Sequence, residues 1–291
     1  EGPILTKRPC NQVGLLYHET LADSAQLAGE IARILGGFGA TVWAGCCDDQ
    51  GRIMAEVGKL DMIITLGGDG TILRTARLAA PYRIPVLGVN LGRLGFLAEM
   101  QPSEVLAKLP QLRDGEFWLE ERLMLHAEHR RNAHVVGSYE ALNDVFAGRG
   151  RAARVVRIAV TVDGARVGTY VADGVVVATP TGSTAYNLSA GGPIVAPDTD
   201  DLLLTPIAPH LTPARSIVLP SESTIKISIA TQHDGMLTVD GWVDVDVKNE
   251  DELVITKSAY TAQFVRLGPR NYFYETLIQR LNRRTDNLSS S

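Results

Sequence analysis

Hydrophobic residues in the first third of the chain fall into short apolar runs separated by stretches of helical spacing. Residues 13–17 read as a strand, and residues 24–35 follow with Leu27, Ile31 and Leu35 at helical spacing. Residues 41–44, β-branched and aromatic, suit a second strand. Residues 60–66 (LDMIITL) form an apolar run that reads as a strand buried on both faces. It leads into the loop 67–71, a helix over 72–80 and a further strand over 84–89. Strands that alternate with helices predict a parallel sheet with both faces covered.

The pattern changes after about Phe117. Residues 155–162 alternate, Asp163-Gly164 offers a type I′ hairpin turn, and residues 167–171 return. Residues 175–179 read as a buried strand. Ile225, Ile227 and Ile229 alternate with polar or small residues, as do Val243, Val245 and Val247 with Asp244 and Asp246. A period of two marks sheets with one solvated face, so this part is β-rich and antiparallel. The tail turns helical again: Phe273, Leu277, Ile278 and Leu281 share a face that has to be buried, and docking on the first domain is the expected solution. Residues 287–291 read as a disordered end.

Composition narrows the class. The 291 residues, 45% hydrophobic and 21% charged, suit one large or two ordinary globular domains. No apolar run is long enough to span a bilayer, and residues 1–10 lack a signal-peptide pattern. A net charge of −5 argues against nucleic acid as the main partner, but leaves room for an anionic small ligand held by a few arginines and backbone N–H groups. The three cysteines, Cys10, Cys46 and Cys47, make no disulfide framework and point to a reducing, cytoplasmic setting.

Three segments could carry chemistry. The first is Gly67-Gly68-Asp69-Gly70-Thr71 between a strand and a helix. Its glycines allow a sharp turn and close approach of a ligand, at the strand end where anions bind. A carboxylate there repels phosphate, so Asp69 makes sense as a metal ligand or as the acceptor of a proton from an attacking hydroxyl; as an alternative it caps the helix. The second, residues 173–192, reads as a buried strand, a polar turn and a short helix. Thr184, Tyr186, Asn187 and Ser189 crowd hydrogen-bonding groups near small Ala185, a lining that suits a base edge or, on the plainer reading, a capped turn. The third, Asn143-Asp144, can hydrogen-bond a vicinal diol such as a ribose, or be a solvated turn. Arg149, Arg151, Arg154 and Arg157 downstream could neutralise a pyrophosphate or form a solvated loop. His126, His129 and His134 lack the partners of a zinc set, and the acidic runs 198–201 and 250–252 read as solvated turns. The P-loop, dinucleotide, nucleophile-elbow, zinc-protease and protein-kinase motifs are all missing.

Taken in order, GGDGT, Leu94-Gly95-Phe96, Asn143-Asp144 and the stretch DGVVVATPTGSTAYNLSAGGPIV over 173–195 resemble the NAD kinases, bacterial ones in particular. The likeness spans about residues 61–247. GGDG alone is shared with phosphofructokinases and with diacylglycerol and sphingosine kinases, whereas TPTGSTAYNLSAGGP is far more specific. The resemblance implies a phosphofructokinase-like α/β nucleotide-binding domain over 1–118 and 265–291 and a β-rich NAD-binding domain over 119–264, with the active site in the cleft between them. It implies transfer of the γ-phosphoryl group of ATP, with Mg²⁺ or another divalent ion, to the 2′-hydroxyl of the adenosine ribose of NAD. Homo-oligomers, dimers or tetramers, are implied too.

Residue by residue, the resemblance makes Asp69 the general base, Gly70 a backbone contact and Arg74 a phosphate-facing residue. Asn143 and Asp144 become the ribose- and base-contacting pair, and Asp173 a carboxylate near the nicotinamide end. Thr184, Ala185, Tyr186, Asn187, Leu188 and Ser189 line the nucleoside pocket, Phe96 walls it, and Arg154 is a further ligand position. No protein metal ligand is implied. The chain departs from the family pattern twice: Asp144 stands where many bacterial members have Glu, and Trp242 follows Asp240-Gly241 where many have Gln. The shared GGDG leaves a lipid kinase as the alternative enzyme, and a non-catalytic dinucleotide sensor as the alternative of another class.

Overall fold

The computed structural model describes residues 10–18, 22–92, 95–150, 156–210, 215–231 and 235–285. In chain order the first elements are β1 (Gln12–Tyr17), α1 (Ala22–Gly37), β2 (Thr41–Cys46), α2 (Gln50–Glu56), β3 (Met62–Gly67), α3 (Asp69–Ala79), β4 (Val86–Asn90) and α4 (Pro102–Arg113). Next come β5 (Trp118–Arg131), β6 (His134–Ala141), β7 (Asp144–Arg149), β8 (Val156–Val162), β9 (Ala165–Ala172), β10 (Gly174–Ala178) and the short α5 (Tyr186–Ser189). The chain closes with β11 (Asp201–Ile207), β12 (Ile217–Pro220), β13 (Ile225–Ala230), β14 (Gly235–Val239), β15 (Val243–Val247), β16 (Glu252–Arg266) and α6 (Tyr272–Thr285). Two compact units result: residues 1–121 with 262–291, and residues 122–261.

In the first unit β2, β1, β3, β4 and the end of β16 lie side by side, every pairing parallel. All six residues of β3 are buried, as a strand covered by helices on both faces requires. On one face Ile31 and Leu35 of α1 and Val105, Leu109 and Leu112 of α4 join Leu15, Ile64 and Leu66 in the core. Two details differ from the sequence expectation. Helix α3 begins at Asp69 rather than Ile72, because Gly68 in an extended conformation caps it and its carbonyl accepts from Thr71 and Ile72. Strand β4 begins after Pro85, which has no N–H to give a ladder.

The C-terminal helix α6 belongs to the first unit, where the Tyr272 hydroxyl donates to Glu120 at 2.9 Å. Phe273 and Arg280 are buried but Ile278 is 63% exposed, so the buried stripe is narrower than the apolar spacing predicts. Arg280 takes the place beside the core, with its guanidinium 5.8 Å from the Phe96 ring centre.

The second unit is antiparallel. One sheet runs β16, β13, β8, β9, with β5 paired to β16 and β6; the other runs β12, β11, β10, β7, β14, β15. Inward residues of both sheets, among them Leu125, Ile158, Val160, Val145, Val175 and Val177, fill one core. Asp163-Gly164 has φ of 50° and 81°, positive at both residues as a type I′ turn demands. Asn132-Ala133 and Asp240-Gly241 make the same positive-φ turns without the sequence reading having marked them. Asp251 corrects the reading of 250–252 as solvated: it is 1% exposed and accepts from Arg131 and His129. Residues 287–291 lie outside the described residues.

Candidate active site

In the first unit the site is the β3–α3 junction. Gly67 cannot carry a side chain, since a Cβ there would meet Thr71 at 2.7 Å. The eleven-residue α3 opens directly on Asp69, so the Asp69 and Gly70 N–H groups lie at the positive end of the helix dipole, while the Thr71 N–H is taken by the Gly68 carbonyl. The Asp69 carboxylate is the key of the loop. Oδ2 accepts from the Phe96 N–H at 2.7 Å and Oδ1 from the Leu97 N–H at 3.1 Å. Gly95 makes this embrace possible: a Cβ on it would lie 2.1 Å from that carboxylate. The Leu-Gly-Phe segment is therefore keyed to the aspartate, which stays half-buried with further acceptor capacity on each oxygen.

Arg74, one turn further along α3, is 9% exposed and donates to Asp48 at 2.6 Å. Burial lowers the Arg280 pKa, helped by Arg266 and opposed by Tyr272, Asp69 and Glu99, so Arg280 lies within electrostatic reach of Asp69.

The second unit holds a pocket of about 420 Å³ lined by Asn143, Asp144, Phe146, Ala185, Tyr186, Thr238, Asp240 and Gly241. A larger hollow of about 610 Å³ along α1 contains none of the candidate residues and offers an ordinary acidic and apolar helix surface. The smaller pocket has the convergent chemistry. Its floor is set by Asp240, whose carboxylate accepts from the N–H groups of Leu142, Asn143 and Asp144 at 3.0, 2.7 and 3.2 Å. Asp144, 5% exposed, sits beside it. Burial, then the neighbouring Asp240 charge, push the Asp144 carboxyl up to about 7, against a hydrogen bond from the Tyr186 N–H.

The wall comes from the turn after β10. Thr179 donates its hydroxyl to the Leu142 carbonyl at 2.6 Å and accepts from the Gly182 N–H at 3.1 Å. Gly182 packs so tightly that a Cβ would stand 2.0 Å from the Asn143 carbonyl oxygen. Tyr186, 43% exposed, meets Phe146 with ring centres 5.9 Å apart and feels Asp144, Asp173 and Arg149. Asp173 pairs with Arg149 at 3.0 Å.

The structure sorts the sequence candidates. Asn143, Asp144, Ala185 and Tyr186 line the pocket. Asn187 is fully buried and spends its amide on the fold, donating to the Ser183 and Pro193 carbonyls and accepting from Thr205. Thr184 is buried, whereas Leu188 is half-buried and Ser189 exposed. Asp69, Gly70, Arg74 and Phe96 lie in the first unit. Arg154 lies outside the described residues, as do Arg151 and Leu94. Phe146 and Thr238 were not singled out from sequence, and Asp240 was named only within the Asp240-Gly241-Trp242 departure from the family pattern. The Asp-Gly turn at 240–241 was the available signal, since such turns place an acceptor next to free backbone N–H groups. His129 is a satisfied core histidine on Asp251 at 2.7 Å, and His126 pairs with Glu140 at 2.7 Å.

Two family models match the chain: the ATP-NAD kinase N-terminal domain over residues 50–117 and the ATP-NAD kinase C-terminal domain over residues 142–267. An NAD kinase of Chloroflexus aggregans is 42% identical over 275 residues, which are 94% of this chain and 99% of that one. A crystal structure of yeast NADH kinase complexed with NADH superposes with a TM-score of 0.82 at 27% identity, covering 93% of this chain and 87% of the other. An NAD kinase from Archaeoglobus fulgidus, in complex with ATP, gives 0.73 at 26% identity over 91% and 97%.

Proposed function

From its membership of the ATP-NAD kinase family, to which this chain belongs, we infer that it is an NAD kinase: it transfers the γ-phosphoryl group of ATP to the 2′-hydroxyl of the adenosine ribose of NAD and makes NADP. The observation that carries the reading is that both family domains match in order, with the GGDG loop in one and the pocket of Asn143 and Asp144 in the other.

In this reading the ribose 2′-oxygen attacks the γ-phosphorus, the bond to the β-phosphate oxygen breaks, and ADP leaves. A free carboxylate near pKa ~3.9 is a weak base, so the proton leaves late, in a loose transition state governed by positioning and charge. Asp69 orients the hydroxyl and takes that proton. The Phe96 and Leu97 N–H groups hold its carboxylate in one place, which removes the entropy of searching for the geometry. The Gly70 backbone and the α3 N-terminus complement phosphate charge. Arg74 supports that end of the helix from its anchor on Asp48.

Asn143, Asp144, Ala185 and Tyr186 hold the nucleoside, a ring packing on Tyr186 and a diol on the Asn143-Asp144 edge. Thr184, Asn187, Leu188 and Ser189 shape the same turn, and Asp173 with Arg149 supplies charge at its edge. The first unit is the α/β nucleotide-binding part and the second the NAD-binding part. Mg²⁺ seeks near-octahedral oxygen coordination. The phosphate oxygens of ATP would supply much of that shell, so the proposal places the ion with ATP. A cytoplasmic location and a homo-oligomer complete the proposal. No helix of the described residues is long and apolar enough to cross a membrane.

Incubation of the purified protein with NAD, ATP and Mg²⁺, read by an NADP-specific dehydrogenase, tests the function. NADP formation is the expected result. NAD binding without NADP would instead mark a dinucleotide sensor, and phosphorylation of diacylglycerol or sphingosine without NADP a lipid kinase.

A further inference from the structure

The ends of β1 and β2 carry a cluster that meets the proposed phosphoryl-transfer residues through the Asp48–Arg74 pair. The two strands are parallel neighbours with Tyr17 opposite Cys46, so the next residues, His18 and Cys47, emerge side by side. Cys47 Sγ lies 3.2 Å from His18 Nδ1, which is 3.6 Å from Asp48 Oδ2, and the three donor atoms all fall within 4.8 Å of one another. We propose that His18, Cys47 and Asp48 form a binding site for a thiophilic divalent cation of the Zn²⁺ type.

Two of the three ligand-to-ligand edges match a tetrahedral ion. Zn–S of about 2.3 Å and Zn–N or Zn–O of about 2.0–2.1 Å set the ligand-to-ligand edges at about 3.5 Å for S···N and about 3.4 Å for N···O. Both measured separations are within a few tenths of an ångström of those edges. The atoms behind the ligands are held as well. His18 Nε2 faces Thr71 Oγ1 at 3.3 Å, which leaves Nδ1 as the acceptor that points into the cluster when Nε2 carries the proton. Asp48 Oδ1 is taken by Arg74 at 2.6 Å, which aims Oδ2 at the imidazole.

A nitrogen, a sulfur and one carboxylate oxygen select a borderline-soft ion and reject Mg²⁺ or Ca²⁺, which require oxygen shells. Cys47 is buried, while the His18 and Asp48 side chains are 27% and 59% exposed, so an ion has an open approach and water can complete the fourth position. Without the ion the thiol stays protonated: burial, then Asp48 and Cys46, push it up to about 12 against the pull of Arg74. Binding therefore expels the thiol proton to solvent as the sulfur–metal bond forms. Thr71 and Arg74 both sit on α3, so the ion would tie two strand ends to the helix that begins at Asp69.

Titration of the reduced protein with Co²⁺, followed by thiolate-to-cobalt charge-transfer absorption, tests the site. The expected result is one Co²⁺ per chain, displaced by Zn²⁺ and indifferent to excess Mg²⁺. Cys47→Ser abolishes the band, and His18→Asn, which spares the buried thiol, abolishes it independently. Thr71→Val weakens binding by about 10–100-fold, the usual cost of losing a partner behind a metal ligand. Cys46→Ser and Cys10→Ser retain the band. Absence of the band in the unaltered protein, its survival in His18→Asn, or its loss in Cys46→Ser or Cys10→Ser overturns the assignment.

Discussion

Asp69 and Asp144 are the same side chain put to opposite uses by the two units. Asp69 is half-buried, and one loop gives it two backbone N–H groups, one per oxygen. Asp144 is 5% exposed beside a second carboxylate, and its pKa rises to about 7. Its neighbour Asp240 collects three backbone N–H groups, and the Asp240 charge adds to burial in raising the Asp144 carboxyl. The comparison teaches that surroundings, more than residue type, set what a carboxylate does: two backbone N–H groups fix Asp69 in place, while burial and a neighbouring charge raise Asp144. In the first unit the fold immobilises a carboxylate, the proposed proton acceptor. In the second it builds a pocket whose polarity changes near neutral pH.

Removal of the charge at Asp69 has the largest expected effect. Asp69→Asn loses about 10²- to 10⁴-fold in kcat, the typical contribution of a positioned acid or base, while NAD still binds; steady-state kinetics and equilibrium dialysis read the two. Turnover near that of the unaltered enzyme would erase the contrast between the two aspartates.

Gly182→Ala attacks the second unit through its backbone. The new Cβ meets the Asn143 carbonyl, and neither side can yield cheaply, so stability falls by about 3 kcal/mol, the upper end of ordinary overpacking, and NAD binding weakens with it. Urea unfolding monitored by fluorescence checks the first expectation, and an unchanged midpoint would contradict it.

Asp144→Asn sharpens the comparison by pH. The folded pKa of about 7 lies above the unfolded value, so the native state binds the extra proton. That contribution is complete below about pH 4 and is lost as pH rises through about 7, from an unfolded pKa of about 3.9. Relative to the variant, the unaltered protein loses about 2–3 kcal/mol between about pH 5 and pH 8. Thermal melts of both proteins across that range should diverge; parallel curves would mean that Asp144 remains ionised throughout.

Trp242→Ala should do least. Trp242 is 61% exposed beyond the Asp240-Gly241 turn, so stability changes by no more than about 0.5 kcal/mol, checked in the same melts.

Much of this was legible in the chain. The apolar run over 60–66 becomes buried β3, and the alternation over 225–229 and 243–247 becomes β13 and β15, because burial on two faces or one writes itself directly into hydrophobic spacing. Gly67, Gly95 and Gly182 sit where side chains would collide, which gives one glycine in each of GGDGT, Leu-Gly-Phe and TPTGST a packing reason. What spacing does not carry is long-range partnership. The hold of Asp240 on residues 142–144 joins positions nearly a hundred residues apart, and buried Asp251 is paired by His129 and Arg131, which reach it from β5. A short acidic stretch looks the same whether it is solvated or paired inside. Asn187 shows the converse: a polar side chain in a ligand-like motif that the turn consumes entirely for its own hydrogen bonds.

The central claim concerns one oxygen atom of the substrate, the 2′-hydroxyl of the adenosine ribose. Phosphorus NMR of the product made from NAD and ATP, beside a reaction with NAD that lacks this hydroxyl, tests it most directly. The account predicts a 2′-phosphomonoester from NAD and no phosphorylation of the deoxy analogue, although the analogue still binds. Phosphate on any other oxygen, or equal phosphorylation of the analogue, would contradict it.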